Sequence, residues 1–287
     1  MLPLQSKLAL VTGASRGLGE AIARQLWSAG ASLALVARDS KALEELAASL
    51  PEAPSEGQRL GVFPADIADI ASLEASFAGI SAQLGDVDVL VNNAAIQGPL
   101  GPLESIDFAA WKQVFDVDLF AAVRLCQLVI PGMRRRGGGK IINISGGGAT
   151  GPRPDVTAYA CAKTALVRLA ETLAEELKDA RIDVNSVSPG AMNTRMLEET
   201  LAAGPAGIRR EFQQAMERKQ KGSGVPPEKA AELVVFLASP ASDGISGKII
   251  SAVWDPWRAL PGHLQMLANS DVFTLRRITE KDRQITF

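Results

Sequence analysis

Leu8-Ala9-Leu10-Val11-Thr12-Gly13-Ala14-Ser15-Arg16-Gly17-Leu18-Gly19 carries the clearest structural signal in the chain. Its first five residues are almost wholly apolar and read as a strand buried on both faces. Glycines follow at the spacing Gly-x-x-x-Gly-x-Gly, and Leu18–Ala29 then reads as a helix. Such a turn lets a pyrophosphate approach the backbone, because the absent Cβ atoms leave room. The free N–H groups and the positive end of the helix dipole then face the phosphates. Gly13, Ser15, Arg16, Gly17, Leu18 and Gly19 are therefore candidate cofactor contacts.

The alternation continues outward from this turn. Apolar runs at Ser32–Val36, Arg59–Pro64, Val87–Val91, Lys140–Ile144, Asp183–Val187 and Lys248–Ala252 read as strands. Lys41–Leu50, Ile70–Leu84, Asp107–Arg136, Val156–Asp179 and Pro227–Ala238 read as helices between them. Strands and helices alternating this regularly predict an α/β fold, a doubly wound parallel sheet of about seven strands with helices on both faces. Its ligand crevice lies at the carboxyl ends of the strands. Residues 1–255 form one Rossmann-like catalytic domain in this reading. Within it, 193–224 falls outside the alternation and is placed to cover the crevice. Residues 256–287 read as a C-terminal extension, not a separate domain.

Composition narrows the function. The chain has 287 residues, 47% hydrophobic, with 30 basic against 32 acidic side chains and a net charge of -2. That balance gives no basic footprint for nucleic acid. Two cysteines, Cys126 and Cys161, make neither a disulfide framework nor a zinc site, and they suit a reducing compartment. The only histidine, His263, sits in the tail and reads as solvated, which argues against a Ser-His-Asp hydrolase. No leader pattern opens the chain and no run of about 20 uncharged apolar residues occurs, so the expectation is a cytoplasmic protein without a membrane span. Arg134-Arg135-Arg136 closes a helix, where cations complement the dipole. Trp254 and Trp257 follow the last strand and are expected at a subunit contact, with the lining of a substrate pocket as the alternative. Only one tyrosine is present, Tyr159.

Thr12-Gly13-x-x-x-Gly17-x-Gly19, Asn92-Asn93-Ala94-Ala95, Tyr159-x-x-x-Lys163 and Ser188-Pro189-Gly190 with Thr194 beyond occur in this order. Together they resemble the motifs of the short-chain dehydrogenase/reductase family, over about residues 6–254. The resemblance implies an oxidoreductase interconverting a carbonyl and a secondary alcohol on a nicotinamide cofactor. It implies a homodimer or homotetramer formed through the helices around 107–136 and 156–179, acting on a small molecule. It also implies cofactor contacts at Asn92, Ala94, Pro189, Gly190 and Thr194, and at Asp66 and Ile67 for the adenine. Asp66 as a plain turn residue is the alternative.

The acidic residue that binds a ribose 2′-hydroxyl belongs at the end of the second strand. Val36-Ala37-Arg38 stands there instead. Arg38, with Arg16 in the glycine turn, favours NADP(H) over NAD(H), while Asp39 reads as the cap of the next helix.

Tyr159 and Lys163 lie four apart, hence on one helix face. A tyrosine titrates near 10, and a fixed ammonium beside it is expected to bring it toward neutral pH. The resemblance gives Tyr159 the role of general acid/base. It gives Lys163 the ribose hydroxyls and a proton relay. The family's serine stands 13 residues before the tyrosine, where this chain has Gly146, with Ser145 one residue earlier. A one-residue insertion between Gly151 and Thr157 makes Ser145 the expected serine; the alternative alignment leaves a hole at Gly146. The family's asparagine in the preceding helix is Asp118 here, which loses amide donors and can pair with Lys163; a tolerated substitution without mechanistic consequence is the alternative. Two further readings stay open. One is a cofactor-binding regulatory or scaffold protein on a partly degenerate site. The other is sugar-nucleotide epimerase or dehydratase chemistry, for which the chain lacks an extra substrate domain.

Overall fold

The computed structural model describes residues 2–193, 195–205 and 208–285. Seven parallel strands form one sheet in the order β3-β2-β1-β4-β5-β6-β7. They are β1 (Leu8–Thr12), β2 (Ser32–Ala37), β3 (Leu60–Pro64), β4 (Val89–Asn92), β5 (Gly139–Ile144), β6 (Ile182–Ser188) and β7 (Ile249–Ser251). Every residue of β1, β2 and β4 is buried, as strands covered on both faces must be.

The helices are α1 (Gly17–Ser28), α2 (Ser40–Ser49), α3 (Ile70–Leu84), α4 (Phe108–Phe115), α5 (Ala121–Arg136), α6 (Thr157–Leu177), α7 (Arg195–Ala203), α8 (Arg209–Lys221) and α9 (Pro227–Ala238). One apolar layer, including Ile22, Leu26, Leu233 and Leu237, joins α1 and α9 to one sheet face. Leu73, Ile80, Leu125, Val129 and Ala170 of α3, α5 and α6 join the other. The result is the expected Rossmann-like single domain.

Strand order reverses between β1 and β4, so the crevice opens beside the glycine turn and Asn92–Ala95. Two local features depart from expectation. The helix expected over 107–136 is interrupted by a π turn at Asp116–Phe120. Such bulges concentrate at functional sites. The tail also packs back on the domain. Trp257, Leu260 and Leu267 enter the α1/α9 layer, and Ile249 N–H donates to the Phe273 carbonyl at 2.8 Å. That bond occupies part of the sheet's free edge. Trp257 is thus a core residue against Phe236, with ring centres 5.2 Å apart, and only Trp254 stays exposed. The expected pairing of the two indoles at a subunit contact therefore fails for Trp257. Cys161 is exposed. Among the described residues no helix is long and apolar enough to cross a membrane.

Candidate active site

The glycine turn closes by backbone contact. Gly13 and Gly17 have φ of +64° and +57°, the left-handed region that glycine tolerates. A Cβ on Gly19 would collide with the Gly13 carbonyl and stand 2.6 Å from Asn93 Nδ2. Nothing lies within 4 Å of the Cβ position of Gly17, so the space above the turn is open. Arg16 begins α1 without any side-chain cap, leaving the first N–H groups for a ligand. Leu18 is buried and Ser15 half-buried. This cradle fits a dinucleotide pyrophosphate.

Thr12 and Asn93 brace the cradle. Thr12 Oγ1 accepts from Asn93 N–H at 3.0 Å and Ala94 N–H at 3.1 Å, and Asn93 Nδ2 donates to the Thr12 carbonyl at 2.8 Å. Asn92 points the other way. Its Nδ2 donates to Asn143 Oδ1 at 2.9 Å, tying β4 to β5 inside the sheet. The Asn92 amide is thus turned into the sheet while Asn93 faces the glycine turn, because successive strand residues face opposite sides.

At the end of β2, Arg38 is exposed. Asp39 caps α2, its Oδ1 accepting from Ala42 N–H at 3.0 Å. Asp66 makes a turn by accepting from Ala68 N–H at 3.1 Å, and Ile67 is buried beside it. Pro189 and Gly190 follow β6, where a Cβ on Gly190 would press within 2.9 Å of Val253 and 3.0 Å of Val225. Thr194 lies outside the described residues.

Tyr159 and Lys163 share the buried face of α6, within a small apolar cluster that includes Val114, Val156 and, from α7, Met196. Lys163 is 1% exposed. Its ammonium donates to the Ile144 carbonyl at 3.0 Å and stands 3.6 Å from Asp118 Oδ2. It lies 5.6 Å from the centre of the Tyr159 ring. The π turn aims Asp118 inward, where its other oxygen accepts from Ile96 N–H at 2.9 Å. Burial pushes the Asp118 carboxyl up to about 6, against the lowering by Lys163 and the Ile96 hydrogen bond.

The phenol behaves differently from the expectation. Burial holds Tyr159 above the ordinary tyrosine value, and the nearby Asp118 carboxylate adds to this. Arg153 works in the other direction. The Asp118 carboxylate thus acts against the lowering that was expected of the ammonium.

Ser145 makes no hydrogen bond to the phenol among the described residues. Its N–H donates to the Val187 carbonyl at 2.8 Å, and its buried Oγ has no partner among the described residues. Gly146 faces Tyr159 instead. A Cβ there would strike the hydroxyl and stand 2.8 Å from the ring carbon Cζ. The unslipped alignment is therefore the one that matches the geometry. Gly146→Ala should displace the ring and cost about 1–3 kcal/mol of stability by overpacking, with a fall in any turnover; thermal melts and rate assays check both. An unaltered melting temperature would contradict the crowding.

The described part of 193–224 lies over this face. Besides the Met196 contact, Gln97 Nε2 donates to Thr200 Oγ1 of α7 at 3.0 Å, and Arg153 pairs with Glu211 of α8.

A model of the short chain dehydrogenase family matches residues 7–204. The chain belongs to the short-chain dehydrogenase family. This dehydrogenase is 33% identical to 2,3-dihydro-2,3-dihydroxybenzoate dehydrogenase of Bacillus subtilis (strain 168) over 242 residues, covering 82% of this chain and 90% of that one. Among solved structures it resembles L-sorbose reductase of Gluconobacter frateurii complexed with NADPH and L-sorbose. The TM-score is 0.76 at 30% identity, over 87% of this chain and 96% of that one. It also resembles a 7α-hydroxysteroid dehydrogenase complexed with NADH and 7-oxo glycochenodeoxycholic acid. There the TM-score is 0.76 at 31% identity, over 87% and 94% of the two chains.

Proposed function

We propose that this dehydrogenase interconverts a carbonyl and a secondary alcohol with NADP(H), using Tyr159 as general acid/base. The observation that carries the reading is the buried Tyr159–Lys163 pair on one helix face, in the same crevice as the switch-point glycine cradle. When bound, the nicotinamide supplies or accepts the hydride, which is chemistry no side chain offers. Tyr159 gives its phenol proton to the carbonyl oxygen, or takes it from the alcohol. Lys163 holds a positive charge under the phenol, fixed by Ile144 and Asp118, and offers its remaining donor capacity to ribose hydroxyls. Asp118 positions Lys163 and secures the Ile96 backbone. Ser145 Oγ, buried and without a hydrogen-bond partner among the described residues, has no contact with the substrate in this reading.

The preference for NADP(H) rests on charge. Arg38 is exposed at the end of β2 with Arg16 exposed in the glycine turn, while Asp39 is spent on capping α2. The solved relatives carry NADPH in one case and NADH in the other, so the assignment rests on these residues. The free thiols Cys126 and Cys161 support a reducing compartment such as the cytoplasm. Phe108 and Phe120, exposed on the 107–136 helices, support a homodimer or homotetramer through that face.

The test is a panel of small carbonyl compounds with NADPH or NADH, read at the nicotinamide absorbance, alongside binding of both cofactors. NADPH should bind at least about tenfold more tightly, and Arg38→Asp should reverse the order, since a charged hydrogen bond contributes about 1.5–3 kcal/mol. Equal affinities would overturn the cofactor assignment. Tight NADPH binding with no turnover on any compound would favour the regulatory reading, to which the missing hydroxyl at Gly146 gives some weight.

A further inference from the structure

Three charged side chains at the mouth of this site have no part in proton transfer. Arg153 sits in the loop joining β5 to α6, its guanidinium 5.9 Å from the centre of the Tyr159 ring. It lies along Gly147 and Gly148. A Cβ on Gly147 would stand 3.4 Å from its Nη1, and one on Gly148 3.3 Å from its Cβ. Glu211, in the first turn of α8, meets it as a fork: Nε donates to Oε1 at 3.0 Å and Nη2 to Oε2 at 2.8 Å. Both are largely enclosed, with side chains 26% and 12% exposed.

Arg218 is the third. It lies seven residues beyond Glu211, two turns along the same helix face. Among the described residues no carboxylate stands within ion-pair distance of it. Burial, then the nearby Arg153, holds it below the ordinary arginine value, with Glu211 acting in the other direction. Among the described side chains of this cluster, two guanidiniums stand against one carboxylate, an excess of one positive charge.

The fork that Glu211 occupies is the geometry an arginine offers any carboxylate. Glu211 reaches it from α8, outside the sheet core, whereas Arg153 stands on the loop that joins β5 to α6. At Gly146 no side-chain hydroxyl is available to orient a substrate, so orientation must come from another group in reach of the phenol.

We propose that Arg153 anchors a substrate carboxylate, so that the site takes an oxo or hydroxy acid, with Glu211 occupying the anchor until the acid displaces it toward Arg218. The inference rests on the oxidoreductase reading of the site. A monoanionic acid balances the excess charge, and its carboxylate sits over the face of Tyr159, within a few bonds of the carbon being reduced or oxidised. The name of the Bacillus subtilis relative, 2,3-dihydro-2,3-dihydroxybenzoate dehydrogenase, agrees with an acid substrate.

Cyclohexanecarboxylate, its uncharged amide and inorganic phosphate serve as probes, titrated by calorimetry into the full chain with NADPH present. The carboxylate should bind and the amide should not. Arg153→Met should weaken the carboxylate about 10- to 100-fold, and Arg153→Lys, which keeps the charge without the fork, by an intermediate amount. Glu211→Gln should tighten it, because the competing carboxylate is gone. A pair that merely latches the covering segment gives no tightening in Glu211→Gln, and that result overturns the proposal. So does equal binding of acid and amide, binding of neither, or phosphate binding more tightly than the carboxylate. Circular dichroism melts check that each variant folds; if Arg153→Met does not, Arg153→Lys and Glu211→Gln carry the test. Turnover of neutral carbonyls with no preference for acids would overturn the anchor and leave the oxidoreductase reading intact. Carboxylate binding that depends on Arg153, with no nicotinamide turnover on any acid, would do the opposite.

Discussion

Tyr159→Phe should lower kcat by about 10²- to 10⁴-fold, the range that positioned proton transfer supplies, while leaving cofactor affinity and melting temperature nearly unchanged. The second half follows from the surroundings of the phenol. Its hydroxyl has no hydrogen-bond partner among the described residues, and the ring makes the apolar contacts, which phenylalanine keeps. Removing the oxygen therefore orphans no buried group. Because Tyr159 is the only tyrosine in the chain, the ultraviolet phenolate band reports this group alone. In the free protein that band should appear only above the ordinary tyrosine range, since burial and Asp118 both disfavour the phenolate. It should be absent from the variant. Turnover of Tyr159→Phe within a few-fold of the parent would remove Tyr159 as the acid. A phenolate band near neutral pH would show that the ammonium prevails over burial.

The strands and the glycine turn were legible because burial on both faces leaves continuous apolar runs, and because only glycine tolerates the close approach of Gly19 to Gly13. The Tyr159–Lys163 spacing was legible for a similar reason, since helix periodicity places them on one face. Other features of the site carry no local signal. The π turn at Asp116–Phe120 inserts its extra residue without a proline or glycine within it to mark it. Ser145 and Gly146 differ by one position at a strand end, where one step exchanges the sheet's interior for the crevice. The same step separates Asn92 from Asn93. Arg153 and Glu211 are 58 residues apart, so their fork exists only once α8 lies over the site. The tail likewise gave no hint that Phe273 would take up the Ile249 amide, because that bond depends on an edge the fold creates.

Lys163→Met should destabilise the protein by about 3–5 kcal/mol at neutral pH, the usual cost of removing one partner from a buried ion pair. The pair is enclosed, with side chains 1% and 0% exposed, and Asp118 Oδ2 faces only the ammonium at 3.6 Å. Asp118 would respond by taking up a proton on folding. Protonating at pH 7 a carboxyl whose ordinary value is 3.8 costs about 4 kcal/mol, which caps the penalty near the same figure. The pH dependence then has a definite sign. In the parent protein the Asp118 carboxyl is raised to about 6, so the native state holds more protons than the unfolded chain between about pH 4 and 6, and stability falls across that window as pH rises. Without the ammonium the carboxyl rises further, and the decline continues above pH 6. The gap between variant and parent should thus be small near pH 5 and should widen through pH 7 and 8. At about 2–4 °C per kcal/mol, it should reach roughly 8–16 °C in Tm. Lys163→Met combined with Asp118→Leu removes both charges and should recover most of the loss, because an apolar replacement for a buried pair is often neutral. Thermal melts of the three proteins from pH 5 to 8 make the comparison. A deficit independent of pH, or a double variant no more stable than the single one, would mean that Asp118 does not depend on Lys163 for its charge.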